Sequence, residues 1–489
     1  MRPSLVRRRR APHRAAVAVA ASALLLITGT ACGARFPRQT VTAGGVVAQP
    51  GVPAAPDDGL GGQPGVPLPP GATTAPPPGG FTPGPAGPGQ PTSGPRQGPG
   101  QPSQRPSQQP TQGPGQPQSV DPGRRTGVTA TSITIGYLIP KTGAAQVPPQ
   151  VEQGINVYWR YLNDRGGIFG RKIQTIVADT ESNESVARSR AQQLIDQGVF
   201  MVAALDRLGV QKAIGEYLDA RQVPNVEVQT PANLNARQAW TFGITIDHAV
   251  QGGVIARYFK NVLKVAKAAV IYERDATLQP GVDNFKAEAG RQGIQVAYQA
   301  VIDGQGNDFS QQAAGLSSSG AQVAWLYMAP TPAAKLANQS KSAGYPGIFF
   351  ANSISWNFDL IFATGPTAFR GSKAFSPWPA LNDQRTQTYQ QAYRRYYSDP
   401  PLDLGIPGWG LGQVVASAIR NAGRELGQNG FREAMQNLQL GRTGLADGTP
   451  LLWSPIAFRP GVREGGPMVV TYTEQNGNWT QESDYRANY

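Results

Sequence analysis

From residue 127 onward the chain alternates between two hydrophobic periods. Ser132-Ile133-Thr134-Ile135-Gly136-Tyr137-Leu138-Ile139 is a β-branched run closed by Pro140, and residues 151–162 then carry apolar side chains at helical spacing. The pattern repeats, predicting strands over 173–179, 200–205 and 224–228 with helices over 185–197 and up to about Arg221. Further strands are predicted over 268–272, 296–301, 323–327 and 348–351, separated by helices over 281–292, 309–318 and 332–343. Strict alternation of strand and helix makes parallel sheets covered on both faces. So many units predict an α/β protein with two doubly wound lobes. Ligands of such sheets sit beyond the carboxyl ends of the strands, which here means the loops starting at Pro140, Asp179, Asp206, Gln229, Glu273, Tyr327 and Asn352.

The first quarter of the chain has a different texture. Of 44 prolines in the 489 residues, 23 lie between Pro37 and Pro122, in a background of Gly, Gln, Ser and Thr with almost no aliphatic clusters. Such a segment buries too little apolar surface to offset its ordering entropy, so 32–126 is expected to be a disordered tether. Ahead of it, Arg2, Arg7, Arg8, Arg9, Arg10 and Arg14 precede an apolar run from Ala15 to Ile27 and then Thr28-Gly29-Thr30-Ala31-Cys32. That order reads as an export signal over 1–31, too short for a spanning helix. The sequence leaves general and twin-arginine export open. Cys32 is the only cysteine. Its place just after the apolar run resembles the lipobox of bacterial lipoproteins, although Gly29 departs from the usual aliphatic residue there. The resemblance implies lipidation of Cys32 and an anchor on the outer face of the cell membrane.

Charge narrows the function. The net charge is +13, but residues 1–126 hold 12 arginines against Asp57, Asp58 and Asp121, so only +4 remains for the globular part. A nucleic-acid surface is not expected there. Enzymatic chemistry has little to draw on, because beyond residue 32 there is one histidine, His248, and no cysteine. Thiolate and multi-histidine metal sites are excluded, no cofactor is expected, and His248 reads as a crossing-segment residue behind an Asp247 N-cap.

Several motifs occur in a fixed order: Ile135-Gly136-Tyr137-Leu138-Ile139-Pro140-Lys141-Thr142-Gly143, Gly154-Ile155-Asn156, Asn163-Asp164-Arg165-Gly166-Gly167-Ile168-Phe169-Gly170-Arg171-Lys172-Ile173, Asp179, and Ala191-Gln192-Gln193-Leu194-Ile195. In this order they resemble the opening of the branched-chain amino-acid-type (Leu/Ile/Val-binding-protein-like) periplasmic binding proteins. The similarity continues through Ala268-Val270-Ile271-Tyr272, Asn307-Asp308-Phe309-Ser310 and Gly344-Tyr345. It implies a type I periplasmic binding fold, two lobes joined by three crossings, closing on a small molecule for an ABC permease. Crossings are expected near 242–247, 378–383 and 440–445, placing 127–244 with 381–440 in one lobe and 246–378 with 441–489 in the other.

The positions by which amino-acid binders of that family grip the ligand differ here. Leu205-Asp206-Arg207-Leu208-Gly209 stands where serines are usual, and Ser353 falls near the position of a ligand-binding acid. The candidate ligand contacts are Gln146, Asp206, Arg207, Gln229, Thr230, Tyr272, Tyr327, Ser353, Trp356 and Trp378. Arg207 is open to two roles, meeting an anionic ligand or pairing with Asp206 at the surface. The aromatics suit stacking on a planar or sugar-like ligand, and core packing competes for each. The resulting expectation is a lipid-anchored solute-binding protein for a small polar or aromatic ligand, amino-acid-like, amide or related. Its alternatives are a ligand sensor for a receptor or kinase and a structural envelope protein with a vestigial cleft.

Overall fold

A computed structural model describes residues 122–143, 145–234, 238–304, 306–352 and 367–489. The expected signal segment, nearly all of the expected tether, and Cys32, Ser353 and Trp356 lie outside the described residues.

The β-branched runs of the first third form five parallel strands: β1 (Ser132–Ile139), β2 (Lys172–Asp179), β3 (Met201–Ala204), β4 (Asn225–Glu227) and β5 (Thr241–Gly243), in the order β2-β1-β3-β4-β5. Along β1 the two faces separate with a period of two. Ile133, Ile135, Tyr137 and Ile139 join one core, and Leu138 joins another on the opposite face, with Ala187, Ala191 and Leu194. Helices α1 (Gln150–Asp164), α2 (Glu184–Asp196) and α3 (Leu208–Asp219) connect the strands. α1 buries Val151, Ile155, Tyr158, Trp159 and Leu162 on one stripe. It stops at Gly166 and Gly167, whose φ values of 99° and 72° favour glycine. The Gly167 N–H then returns to the Leu162 carbonyl at 3.0 Å.

The second sheet is built likewise from β6 (Lys267–Glu273), β7 (Gln295–Ile302), β8 (Val323–Tyr327), β9 (Ile348–Ala351) and β10 (Lys373–Ser376). Its helices are α4 (His248–Asn261), α5 (Gln279–Arg291), α6 (Ser310–Ser318) and α7 (Pro330–Ser342). Ala268, Val270, Tyr272, Val323, Trp325 and Tyr327 point to one face, and Ala269, Ile271, Ala324 and Leu326 to the other. The chain then returns to the first sheet as α8 (Gln387–Tyr396), α9 (Ile406–Ala422) and α10 (Gln428–Gln436). α9 reaches α1 through small residues, since a Cβ on Gly154 would stand 2.2 Å from the Gly405 carbonyl oxygen and one on Gly412 2.3 Å from Tyr158.

After α10 comes a short ribbon, β11 (Gln439–Leu440) with β12 (Ile456–Ala457). Last come β13 (Val470–Gln475) and β14 (Asn478–Gln481), antiparallel additions to the second sheet, whose order is β14-β13-β10-β9-β8-β6-β7. The sequence put the third crossing near 440–445 and gave 441–489 to the second half. Instead, residues 441–465 stay on the first sheet. Leu451, Leu452, Trp453 and Phe458 bury in its core, the Trp453 indole N–H donates to the Ile244 carbonyl, and at the bridge between Gly243 and Glu464 the Gly243 N–H donates to the Arg463 carbonyl while the Gly465 N–H donates to the Gly243 carbonyl. The passage to β13 therefore follows Gly466, where a Cβ would fall 2.0 Å from the Ile244 carbonyl oxygen. Apolar burial of Leu451-Leu452-Trp453 holds this excursion in place.

Candidate ligand-binding cleft

A cleft of about 570 Å³ opens where the strands of both sheets end. Its walls come from the loop after β1 (Pro140 to Pro148), from Leu205–Leu208 after β3 and from Val228 and Gln229 after β4. The second sheet supplies Glu273, Asp275 and Leu278 after β6, and Ala329 to Pro332 with Lys335 at the start of α7. Leu404 and Pro407 close one side at the head of α9. A volume of this size matches small-molecule sites in general, as does a mainly apolar wall with a few polar groups.

The polar groups sit at loops organised by side-chain hydrogen bonds. Asp179 accepts from the Lys141 N–H at 2.8 Å, the Thr142 hydroxyl at 2.7 Å and the Glu181 N–H at 2.9 Å, tying the loops after β1 and β2 together. Gln211 links the next two, donating from Nε2 to the Asp206 carbonyl at 2.9 Å and accepting the Gln229 N–H at 3.3 Å. Asp206 is 7% exposed. Burial pushes its carboxyl up to about 6, against the pull of the Thr180 hydroxyl and the Arg207 N–H. Arg207 leaves the start of α3 and donates to the Ser182 carbonyl at 3.2 Å. Its charge reaches both Asp206 and Glu273, so it stands between the acids of the two halves. Glu273 is raised by burial and accepts the Ala329 N–H at 3.3 Å.

Of the ten residues singled out from the sequence, the structure brings Gln146, Asp206, Arg207, Gln229 and Trp378 together around the cleft. Three others lie behind its wall. Thr230 is fully buried and donates to the Thr245 carbonyl at 2.6 Å. Tyr272 and Tyr327 point to the core face of the second sheet, where Tyr272 bonds Gln279 at 3.2 Å and Tyr327 bonds His248 at 2.8 Å. The pleat decides this. Tyr272 and Tyr327 share the phase of Val270 and Trp325, both core residues, and at the end of β6 it is the following residue, Glu273, that lines the cleft. Tyr137 and Trp409 are also core residues, with the Tyr137 hydroxyl accepting from Trp159 Nε1 at 2.8 Å.

Sequence reasoning missed Glu273, Asp275, Lys335 and the Leu404–Pro407 wall. It had marked the loop at Glu273, and the pleat argument applied to β6 was the available signal. Leu404 and Pro407 arrive from a distant return of the chain and carry no local mark.

Residues 132–468 match the family model described as periplasmic binding protein. The Leu/Ile/Val-binding protein homolog 3 of Brucella melitensis is 30% identical over 260 residues, covering 51% of this chain and 70% of that protein. A branched chain amino acid ABC transporter structure from Thermus thermophilus, with bound valine, superposes with a TM-score of 0.66 at 14% identity, over 75% of this chain and 97% of that one. A fatty acid ABC transporter substrate-binding protein from Thermomonospora curvata gives a TM-score of 0.64 at 19% identity, over 76% and 96% of the two chains. At such identities the two structures speak for the fold alone. The two parallel sheets, the cleft at their carboxyl ends and the match over most of the folded region together make the chain a member of the periplasmic binding protein family, of the branched-chain amino-acid type.

Proposed function

We propose that this protein is the extracytoplasmic solute-binding component of an ABC transporter, a binder rather than an enzyme, held at the outer face of the membrane by a lipidated Cys32. The observation that carries the reading is the single cleft wall built from the strand ends of both sheets. A ligand touching both would favour a closed over an open arrangement in proportion to its differential contacts. The lobes we assign are 127–244 with 381–465 and 246–378 with 467–489. The ligand class is a small molecule with an apolar or aromatic body and a limited polar end, because fourteen apolar residues, among them Pro140, Pro148, Pro330, Pro332 and Trp378, outnumber the nine polar ones of the wall.

A thermal-shift screen over amino acids, amides, sugars, aromatic acids and short fatty acids tests this. A true ligand at 100 times its Kd stabilises the fold by about 2.7 kcal/mol. The same ligand should shrink the radius of gyration in small-angle scattering, and a bound ligand that leaves the scattering curve unchanged contradicts the closing mechanism. Intact-mass measurement of the membrane fraction checks the anchor, since an unacylated Cys32 removes it.

A further inference from the structure

Resting on the solute-binding reading of this cleft, we propose that His248 is a positioning residue that turns the amide NH2 of Gln229 into the cleft, so that this wall selects ligands offering a hydrogen-bond acceptor. His248 opens α4, directly after the first crossing. Its ring is 1% exposed and bonded through both nitrogens, Nδ1 with the Tyr327 hydroxyl at 2.8 Å and Nε2 with Gln229 Oε1 at 2.9 Å. Burial keeps the ring neutral, pushing its pKa down to about 3. A neutral imidazole has one N–H, and which nitrogen carries it is set by the partners.

Two arrangements exist, and they differ in what is left unsatisfied. With the proton on Nδ1, the ring donates to the Tyr327 oxygen, and the phenol hydrogen of a fully buried tyrosine has no acceptor among the described residues. Gln229 must then turn its amide nitrogen to Nε2 and show its oxygen to the cleft. With the proton on Nε2, the Tyr327 hydroxyl donates to Nδ1, Nε2–H donates to Gln229 Oε1, and both N–H groups of the Gln229 amide are left for the cleft. Only the second satisfies every buried polar atom of the Tyr327–His248–Gln229 relay.

Further observations fix the geometry. Tyr327 is clamped by a stacked Trp325 ring at 4.5 Å. Gln229 is 8% exposed, lines the cleft and is held through its own N–H by Gln211. The nearest charges, Asp247 and Asp275, act on Tyr327 without bonding to its hydroxyl. The chain also joins the halves: Tyr327 belongs to the second sheet, Gln229 to the first, and His248 to the segment between them. The half that carries Tyr327 thus sets the polarity of a group on the other.

The test uses the full chain with 15N-labelled histidine. The protein carries His13 and His248, and the signal absent from His248→Gln is that of His248. The expected spectrum at pH 7 shows the proton on Nε2 and a bare Nδ1. A proton on Nδ1 overturns the proposal. Tyr327→Phe keeps the ring and removes the donor, so the tautomer bias should disappear, and an unchanged Nε2–H form in that variant also overturns the relay.

Binding is read with two probes that share one branched alkyl body and differ in the polar end, 4-methylpentanoate and 3-methylbutylamine. The carboxylate should bind at least tenfold more tightly to the unaltered chain, and Tyr327→Phe or His248→Gln should cut that preference at least fivefold. Equal binding of the amine refutes the selection. If neither probe binds while the Nε2–H tautomer is found, the relay stands and the failure falls on the ligand class of the cleft.

Discussion

Glu227 is expected to make the fold less stable as the pH rises, and replacing it with glutamine should remove that loss. The residue lies on β4 beneath α3 and is fully buried. Its Oε1 accepts an N–H from Asn225 at 2.8 Å, but among the described residues Oε2 has no partner, and neither do the neighbouring acceptors Asn225 Oδ1 and Gln238 Oε1. Gly215 of α3 leaves no slack there, since a Cβ on it would stand 2.6 Å from Gln238 Oε1 and 2.8 Å from Glu227 Oε1. Three buried acceptors without a partner among the described residues need a hydrogen, and a protonated Glu227 supplies one. Burial accordingly pushes its carboxyl well above the usual range, and the Asn225 bond opposes this only in part.

The sign follows from linkage. A glutamate in the unfolded chain titrates near pH 4.3, so above that pH the folded state holds a proton that the unfolded state has lost. The stabilisation is complete below the unfolded pKa and disappears as the pH climbs through the folded one, by about 1.4 kcal/mol per pH unit in between. Glu227→Gln has the same shape, donates permanently from its NH2, and carries no such dependence.

Equilibrium urea unfolding of the two proteins from pH 4.5 to 8 measures it. The difference in stability should be small at the acid end and should grow in favour of the glutamine as the pH rises. Taking the difference cancels contributions from the other raised carboxyls, among them Asp206 and Glu464, which burial lifts to about 6 and about 7. Parallel curves, or a glutamine variant less stable at pH 7, would refute a neutral buried Glu227.

Other expectations follow from the same packing. Asp206→Asn should reduce the loss of stability between pH 4 and pH 7 by about 3 kcal/mol, because a carboxyl lifted to about 6 is stabilising only while it keeps its proton; an unaltered pH profile in urea unfolding counts against it. Gly154→Ala should lose about 1–3 kcal/mol through overlap with the Gly405 carbonyl, read from the urea midpoint, with a neutral result showing that α1 and α9 can part freely. Trp453→Phe strands the Ile244 carbonyl at the first crossing and should lose about 1–3 kcal/mol, and full stability in that variant would mean that the bond holds nothing.

Most of the sheet framework is legible in the sequence because parallel strands covered on both faces must be continuous apolar runs. β1, β8 and β9 have the predicted bounds, and β2, β3, β4, β6 and β7 differ from them by a residue or so at their ends. The predictions thin out where tertiary contacts take over from local pattern. β5 has three residues, and β10 and the ribbon β11–β12 are held by partners far along the chain. The hairpin β13–β14 did carry a local signal, Asn476-Gly477, whose φ values of 53° and 80° are those of a tight two-residue turn. The excursion over 441–465 was misassigned because its apolar residues say that it is buried and not against which sheet.

The cleft shows where sequence reading stops and what would carry it further. A strand end predicts which loops line a ligand site, and the loops at Pro140, Asp206, Gln229 and Glu273 all do so. Choosing a residue within a loop needs the phase of the strand that feeds it. Tyr272 and Tyr327 attract notice as aromatics at strand ends, yet both continue the core-facing phase of their strands and stand behind the wall. The consequence for the ligand is direct. The second half meets the cleft chiefly through acids, prolines and Lys335 rather than tyrosine rings, while Tyr327 acts from behind, through His248, on Gln229 of the first half. On the proposed reading, recognition divides between a largely apolar wall that sets the body of the ligand and a hydrogen-bond chain across the crossing that sets the polarity of its end.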